Sequence, residues 1–172
     1  RRQRQMCIRD RYLNSVKEIT LQMLEQNNIK GLILDVDNTL IDFDKKMPEG
    51  VKEWAENLKQ NNIKLYIVSN SNHKEKVENT AKTLDIPYTY FAKKPLKSGL
   101  NKAKKNMELP SEQIAVVGDQ IFTDVIGANR TKMFSILVKP IDEKDIWATK
   151  IKRPIENRII KKYLKQEEQR RN

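Results

Sequence analysis

Four clusters of polar residues stand at the ends of apolar blocks, and their types in that order suit phosphoryl transfer. The first is Asp35-Val36-Asp37-Asn38-Thr39, which closes the run GLILDVD (31–37). The second is Ser69-Asn70, at the end of IKLYIVSN (63–70). Lys93-Lys94-Pro95 follows PYTYFAK, and Gly118-Asp119 closes IAVVGD (114–119), with Asp124 five residues later. Phosphoryl transfer needs a nucleophile, a metal to neutralise phosphate charge, donors for the equatorial oxygens and a proton shuttle. Asp35 is a candidate nucleophile, because a carboxylate can attack phosphorus and carry the phosphoryl group. Asp37 could protonate the leaving alkoxide and then activate water. Side chains alternate along a strand, so residues 35 and 37 start on the same side. A carboxylate cluster suits Mg²⁺, a hard cation that prefers oxygen ligands.

For these clusters to meet, the intervening segments must bring four strand ends to one place. From Gly31 onward, short apolar runs alternate with helical stretches. Helices are expected over 48–61, with Pro48 in the first turn and Val51, Trp54, Ala55 and Leu58 on one face. They are also expected over 73–84, with Val77, Ala81 and Leu84 inward, and over 98–107 and 123–132. Strands are expected over 31–37, 63–70, 87–93, 114–119 and 134–141. Strands separated by such helices predict a doubly wound parallel α/β sheet. The unbroken apolar character of LIL and IAVV fits strands covered on both faces. Sheets of this kind place ligands beyond the carboxyl ends of their strands. Residues 12–28 are expected to be helical, with Thr20 as an N-cap for LQMLEQN. Residues 154–169 read as an amphipathic helix, with Ile155, Ile159 and Tyr163 on one stripe.

Each element of the constellation has a bland reading. DxDxT alone is weak, since Asp and Asn are common where strands become loops. Ser69 alone would be a turn hydroxyl. Joined in order to Lys94 and to GDxxxxD after a later strand, the set is specific. Asn38 and Asn72 are expected to shape turns, Asp42 and Asp44 to lie in a solvated loop, and His73 to be exposed at a helix start. Trp54 and Trp147 are read as packing residues, and Gly127 as permitting close approach of its helix.

The chain has 172 residues and a formal net charge of +11, a size that favours one domain. The charge is unevenly placed. Residues 1–11 carry a net of +4 and residues 150–172 a net of +6, against +1 for residues 12–149. The body is therefore nearly neutral, which argues against nucleic acid as a partner. The basic tail could meet an anionic membrane surface or simply be solvated. The opening string RRQRQMCIRDR resembles a translated sequencing adapter and is set aside from the fold, and Cys7 with it. The domain expected is 12–149, followed by a basic helix and tail at 150–172. The basic start lacks the apolar core of a secretory signal, and no apolar run approaches the ~18–20 residues that span a bilayer. One cysteine and one histidine cannot build a zinc site. A lone cysteine also fits a reducing, cytoplasmic setting.

DVDNT at 35–39, Ser69, Lys94 and GDQIFTD at 118–124 resemble the four motifs of the haloacid dehalogenase (HAD) superfamily in order and spacing. The wider strings LDVDNTL, IVSNSN, AKKP and VGDQIFTDVIGANR resemble the YqeG family of HAD subfamily IIIA. That family is similar to the mitochondrial phosphatidylglycerophosphate phosphatases. The resemblance covers roughly residues 12–165. It implies a sheet of strand order 5-4-1-2-3 without a cap domain, and a Mg²⁺-dependent phosphatase forming an aspartyl phosphate on Asp35. It makes Asp37 the general acid/base and a metal ligand through its carbonyl, and has Thr39 support the loop. Ser69 and Lys94 would hold the phosphoryl group, with Asn70 adding its backbone N–H. The Lys-Pro pair favours Lys94 over its neighbour Lys93, read as solvated. Asp119 would bind Mg²⁺, with Asp124 as a ligand or just behind it. The substrate class implied is a phosphomonoester, including phosphatidylglycerophosphate, which would bring the enzyme to a membrane periphery.

Other functions fit less well. A receiver domain also phosphorylates an aspartate on a doubly wound sheet, but it puts the acceptor after a middle strand and the acidic pair after the first. A phosphomutase needs a cap, and the links 40–51 and 91–99 are too short for one. A catalytically weak HAD scaffold, serving as a ribosome- or membrane-associated binding module, is the main alternative, although no motif residue is missing.

Overall fold

The computed structural model describes residues 11–142 and Arg158. The expected amphipathic helix at 154–169, the segment 1–10 with Cys7, and Trp147 lie outside the described residues, Arg158 apart.

Six parallel strands form one open sheet in the order β1-β6-β5-β2-β3-β4. They are β1 (Arg11–Leu13), β2 (Gly31–Leu34), β3 (Lys64–Val68), β4 (Tyr88–Thr89), β5 (Ile114–Gly118) and β6 (Phe134–Val138). The last five reproduce the expected order 5-4-1-2-3. The sixth strand, β1, is a correction on two counts: Tyr12 and Leu13 are strand where a helix is expected, and Arg11, set aside with the opening string, is part of the sheet. Arg11, Tyr12 and Leu13 instead pair with Ile136, Leu137 and Val138, and the Leu13 carbonyl accepts the Lys139 N–H at 2.9 Å. Backbone groups along the edge of β6 thereby find partners, as buried polar groups must. Tyr12 packs on Ile121, Val125 and Leu137. A 3-10 turn (Val16–Glu18) follows, and then α1 (Leu21–Gln26), where the Thr20 hydroxyl accepts the Met23 N–H as expected.

Helix α2 (Val51–Gln60) begins three residues after the position expected, because Gly50 takes a left-handed conformation with φ of 84°. That conformation interrupts a helix, so Pro48 belongs to the turn before it rather than to its first turn. The inward face is as expected: Val51, Trp54, Ala55 and Leu58 are buried, and the Trp54 indole donates to the Ile19 carbonyl at 3.0 Å. Helix α3 (Lys74–Leu84) is preceded by His73, which is exposed at the N-cap position. Helix α4 (Lys97–Met107) follows β4. Strand β4 is only two residues long, where seven were expected. After Thr89 the chain leaves the sheet: the Phe91 N–H donates to Ser71 O and the Ala92 N–H to Ser69 O, each at 2.9 Å. After β5, a π-helical turn (Ile121–Val125) runs into the short helix α5 (Ile126–Thr131).

Alternation along the strands divides the core into two layers. Leu32, Leu34, Leu65, Ile67, Ala115, Val117 and Ile136 face α2 and α3. Ile33, Tyr66, Val68, Ile114 and Val116 face α4 and α5, through Leu100, Ala103, Met107 and Ala128. Gly127 lets α5 approach α4, since a Cβ there would sit 3.0 Å from the Leu100 side chain. No cap is inserted in the connections after β2 or β4. No helix among the described residues is long and apolar enough to cross a membrane.

Candidate active site

Because all strands run parallel, their carboxyl ends share one edge, and the four polar clusters assemble there. Asp35 follows β2 directly, with its N–H donating to Val117 O of β5 at 2.9 Å. This bond fixes Asp35 between the two central strands, at the switch point where ligands of such sheets collect. The Lys94 ammonium donates to Asp35 Oδ1 at 2.8 Å and to Asp124 Oδ1 at 2.6 Å. Asp35, Lys94, Asp119 and Asp124 are all buried. One carboxylate oxygen from each of Asp35, Asp119 and Asp124 lies within 4.8 Å of the other two.

Burial raises the Asp35 pKa, and the neighbouring Asp124 and Asp37 charges push it the same way. Lys94 opposes them, and the result is a pKa raised from 3.8 to about 6. Burial works against the Lys94 charge as well, but Asp124 and Asp35 outweigh it and hold its pKa above the usual value. The local balance is one ammonium against three buried carboxylates, with Asp37 close by. An all-oxygen, anionic, buried donor set of this kind fits a hard divalent cation.

The π-helical turn positions Asp124. It carries the chain from Asp119 through one wide turn, so that Asp124 Oδ2 accepts the Gln120 N–H at 3.2 Å while Oδ1 faces Lys94. Single π turns recur at functional sites. Gly118 makes the arrangement sterically possible: a Cβ at that position would lie 2.2 Å from Asp124 Cγ. Gly118→Ala is therefore expected to expel Asp124 from the cluster, destabilise the chain by about 1–3 kcal/mol and remove most activity. Calorimetry and a phosphate-release assay on the purified variant check this; wild-type turnover in Gly118→Ala would show that Asp124 is not needed where it sits.

The other expected residues are placed as follows. The Ser69 hydroxyl accepts the Ser71 N–H at 3.1 Å, leaving its own O–H to donate. Ser69 is fully buried. Thr39 is buried beneath the first loop, and its hydroxyl has no hydrogen-bond partner among the described residues. Asn38 adopts φ of 57° at the turn, and its carbonyl accepts the Ile141 N–H at 3.1 Å. Asp42 shapes the next turn, its side chain accepting the Lys46 N–H at 2.8 Å. Lys93 is exposed, as expected for a solvated neighbour of Lys94.

Three contributions were missed in the sequence. Lys76, on α3, contacts Asp37 Oδ1 at 2.5 Å. Asn70 uses its side chain: Oδ1 accepts the Lys94 N–H at 2.5 Å and Nδ2 donates to Lys94 O at 3.0 Å, clamping the backbone that presents the lysine. Gly118 is the third. A glycine closing a buried strand is a sequence signal for close approach. Nothing in the periodicity of 73–84 marks Lys76.

Comparisons with known proteins show the family and the fold. The family model described as mitochondrial PGP phosphatase matches residues 2–141. A Bacillus subtilis (strain 168) protein named "Probable phosphatase YqeG" is 40% identical over 152 residues, covering 88% of each chain. Among solved structures, an uncharacterized protein from Listeria monocytogenes serotype 4b superposes with a TM-score of 0.55 at 20% identity, over 67% of this chain and 84% of that one. The cobalt-bound deoxy-D-mannose-octulosonate 8-phosphate phosphatase of Haemophilus influenzae gives 0.54 at 18% identity, over 65% and 69%. The structural matches show a common HAD-like fold.

Proposed function

The chain belongs to the mitochondrial PGP phosphatase family, and from that premise we propose that it is a Mg²⁺-dependent phosphomonoester hydrolase acting on phosphatidylglycerophosphate through an aspartyl phosphate on Asp35. The observation that carries the chemistry is the buried cluster of Asp35, Asp119 and Asp124 with Lys94 between two of its members. Asp35, Asp119 and Asp124, with the Asp37 carbonyl, would hold the ion. When bound, Mg²⁺ supplies positive charge against the phosphate oxygens.

In the first step an Asp35 carboxylate oxygen bonds to phosphorus as the bond to the leaving alkoxide breaks. Asp37 gives its proton to that alkoxide. Asp37 then takes a proton from water, whose oxygen attacks phosphorus, breaks the acyl-phosphate P–O bond to regenerate the Asp35 carboxylate, and releases inorganic phosphate. Lys94 and the Ser69 hydroxyl hold the non-bridging oxygens, Asn70 keeps Lys94 in position, and Thr39 supports the loop. Lys76 orients Asp37. The uncapped edge of the sheet leaves room for a lipid headgroup, which supports a substrate presented at a membrane surface by an enzyme that is otherwise cytoplasmic.

Hydrolysis of p-nitrophenyl phosphate should depend on Mg²⁺ and cease with a chelator. Phosphatidylglycerophosphate in mixed micelles should be preferred over sugar, nucleotide and protein phosphates; a preference for one of those would remove the lipid reading and leave the chemistry. Asp37→Asn should slow both formation and breakdown of the intermediate, by about 10²–10⁴-fold overall. Rapid-quench measurement of phosphoenzyme separates the two steps, and an unslowed variant would exclude Asp37 as the shuttle.

A further inference from the structure

Among the described residues, the exposed large apolar side chains are Phe43, Tyr90, Phe91, Leu96 and Ile141. Every one lies in a connection leaving the carboxyl end of a strand: Phe43 after β2, Tyr90, Phe91 and Leu96 after β4, and Ile141 after β6. In an all-parallel sheet that is a single edge, the one that holds Asp35. The connections at the opposite edge expose none; Ile29, Ile86 and Met133 there are buried.

Two features separate this rim from scattered surface apolar residues, which are ordinary. The first is the backbone at Phe91. Left-handed residues occur at several turns, but among the described residues Phe91, with φ of 49°, is the one non-glycine apolar residue in that region, which is unfavourable for a bulky side chain. Phe91 is nevertheless 53% exposed, so its ring gains little burial within the fold. The same strip alternates: Ala92 and Lys94 point into the protein while Phe91 and Lys93 point out. The second feature is charge. Tyr90–Lys97 contains no carboxylate, and Lys93 and Lys97 are exposed. The Lys93 ammonium stands 4.9 Å from the centroid of the Phe91 ring; in the turn crowned by Phe43, Lys45 and Lys46 are balanced by Asp42 and Asp44, so the basic charge of the rim sits on Tyr90–Lys97.

We propose that this rim, centred on Tyr90–Lys97 with Phe43 and Ile141 beside it, is the surface by which the mouth of the site settles on an anionic lipid bilayer. Aromatic side chains favour the headgroup level, and lysines beside them meet anionic headgroups. Because Lys94 belongs to the same strip, docking places the phosphate-binding lysine directly under the headgroup layer. The inference rests on the lipid-substrate reading for its biological meaning, but its physical test is separate.

The full chain is floated with vesicles of phosphatidylcholine, with and without phosphatidylglycerol. Flotation is expected on the anionic vesicles. Combined Phe43→Ser, Phe91→Ser and Leu96→Ser should weaken it about tenfold or more, since interfacial binding scales with apolar area inserted. Lys93→Glu with Lys97→Glu should reduce the preference for anionic lipid, the basic segment 150–172 being unchanged in both proteins. Both variants should hydrolyse p-nitrophenyl phosphate like the wild type, which also reports intact folding. Undiminished flotation of the serine variant overturns the proposal. So does a wild-type chain that never floats, the outcome expected if these loops dock a protein or a second copy of the chain. A chain that floats through these loops yet releases no phosphate from phosphatidylglycerophosphate keeps the surface and removes the substrate reading. Wild-type hydrolysis of vesicle lipid with unchanged flotation of the serine variant does the reverse.

Discussion

Asp35→Asn is expected to abolish turnover while making the metal-free protein more stable at neutral pH, an opposition that a merely structural aspartate would not show. Loss of turnover follows from removing the attacking oxyanion without changing side-chain size. The stability gain follows from the raised pKa. Burial, with Asp124 and Asp37 nearby, lifts the Asp35 pKa from 3.8 to about 6. A group whose pKa is higher folded than unfolded binds its proton more tightly in the native state. Its stabilisation is complete below about pH 4 and is lost as pH rises through about 6. A shift of about two units corresponds to roughly 3 kcal/mol. Between pH 4 and 7, the metal-free wild type should therefore lose stability from this group, and Asp35→Asn should lack that part of the slope. Mg²⁺ should reverse the ordering: a cation among the carboxylates favours the charged form, so the wild type should gain melting temperature with Mg²⁺ and the variant much less. Thermal unfolding across pH with Mg²⁺ or chelator checks the sign, and phosphate release checks the chemistry. Near-normal Mg²⁺-dependent turnover in Asp35→Asn would remove the nucleophile assignment.

The parts of this site legible in the sequence were those held by local pattern. LIL and IAVV are continuous apolar runs, so the central strands β2 and β5 and the carboxylates that follow them could be located without coordinates. Strand β1 could not, because three residues do not establish a period of two and Tyr12-Leu13 fits a helix equally well. Gly50 shows the same weakness: Pro48 is a good first-turn residue, but a left-handed glycine two positions later moves the helix start. Strand β4 was overextended because the hydrogen bonds that end it go to Ser69 and Ser71 on another connection. Contacts remote in sequence were the least legible. Lys76 reaches Asp37 across 39 residues and Asn70 clamps Lys94 across 24. Both are polar residues beside a recognised motif or on a helix flank, where a solvated role is the ordinary one.

Lys94→Met should have the largest effect on stability of any single change at the site. The lysine is buried, and it donates to Asp35 and Asp124 at 2.8 and 2.6 Å. Methionine keeps much of the volume and removes the charge. Two buried carboxylates are then left facing each other without their shared cation, and breaking a buried pair by deleting one partner costs about 3–5 kcal/mol. Part of that cost should be relieved by protonation, so the variant should become more stable as pH falls from 8 toward 5. Mg²⁺ offers a second route to neutralising the same carboxylates, which leads to a distinctive outcome: the Mg²⁺-dependent rise in melting temperature should be larger in Lys94→Met than in the wild type, although turnover falls because a phosphate-binding donor is gone. Lys93→Met, one residue away and exposed, should change neither stability nor p-nitrophenyl phosphate hydrolysis. Denaturant titrations of both variants, with and without Mg²⁺, make the comparison. Equal stability of Lys94→Met and Lys93→Met would mean that the buried ion pairs do not hold the site together. A Lys94→Met variant destabilised but unresponsive to Mg²⁺ would mean that the carboxylates do not share a metal.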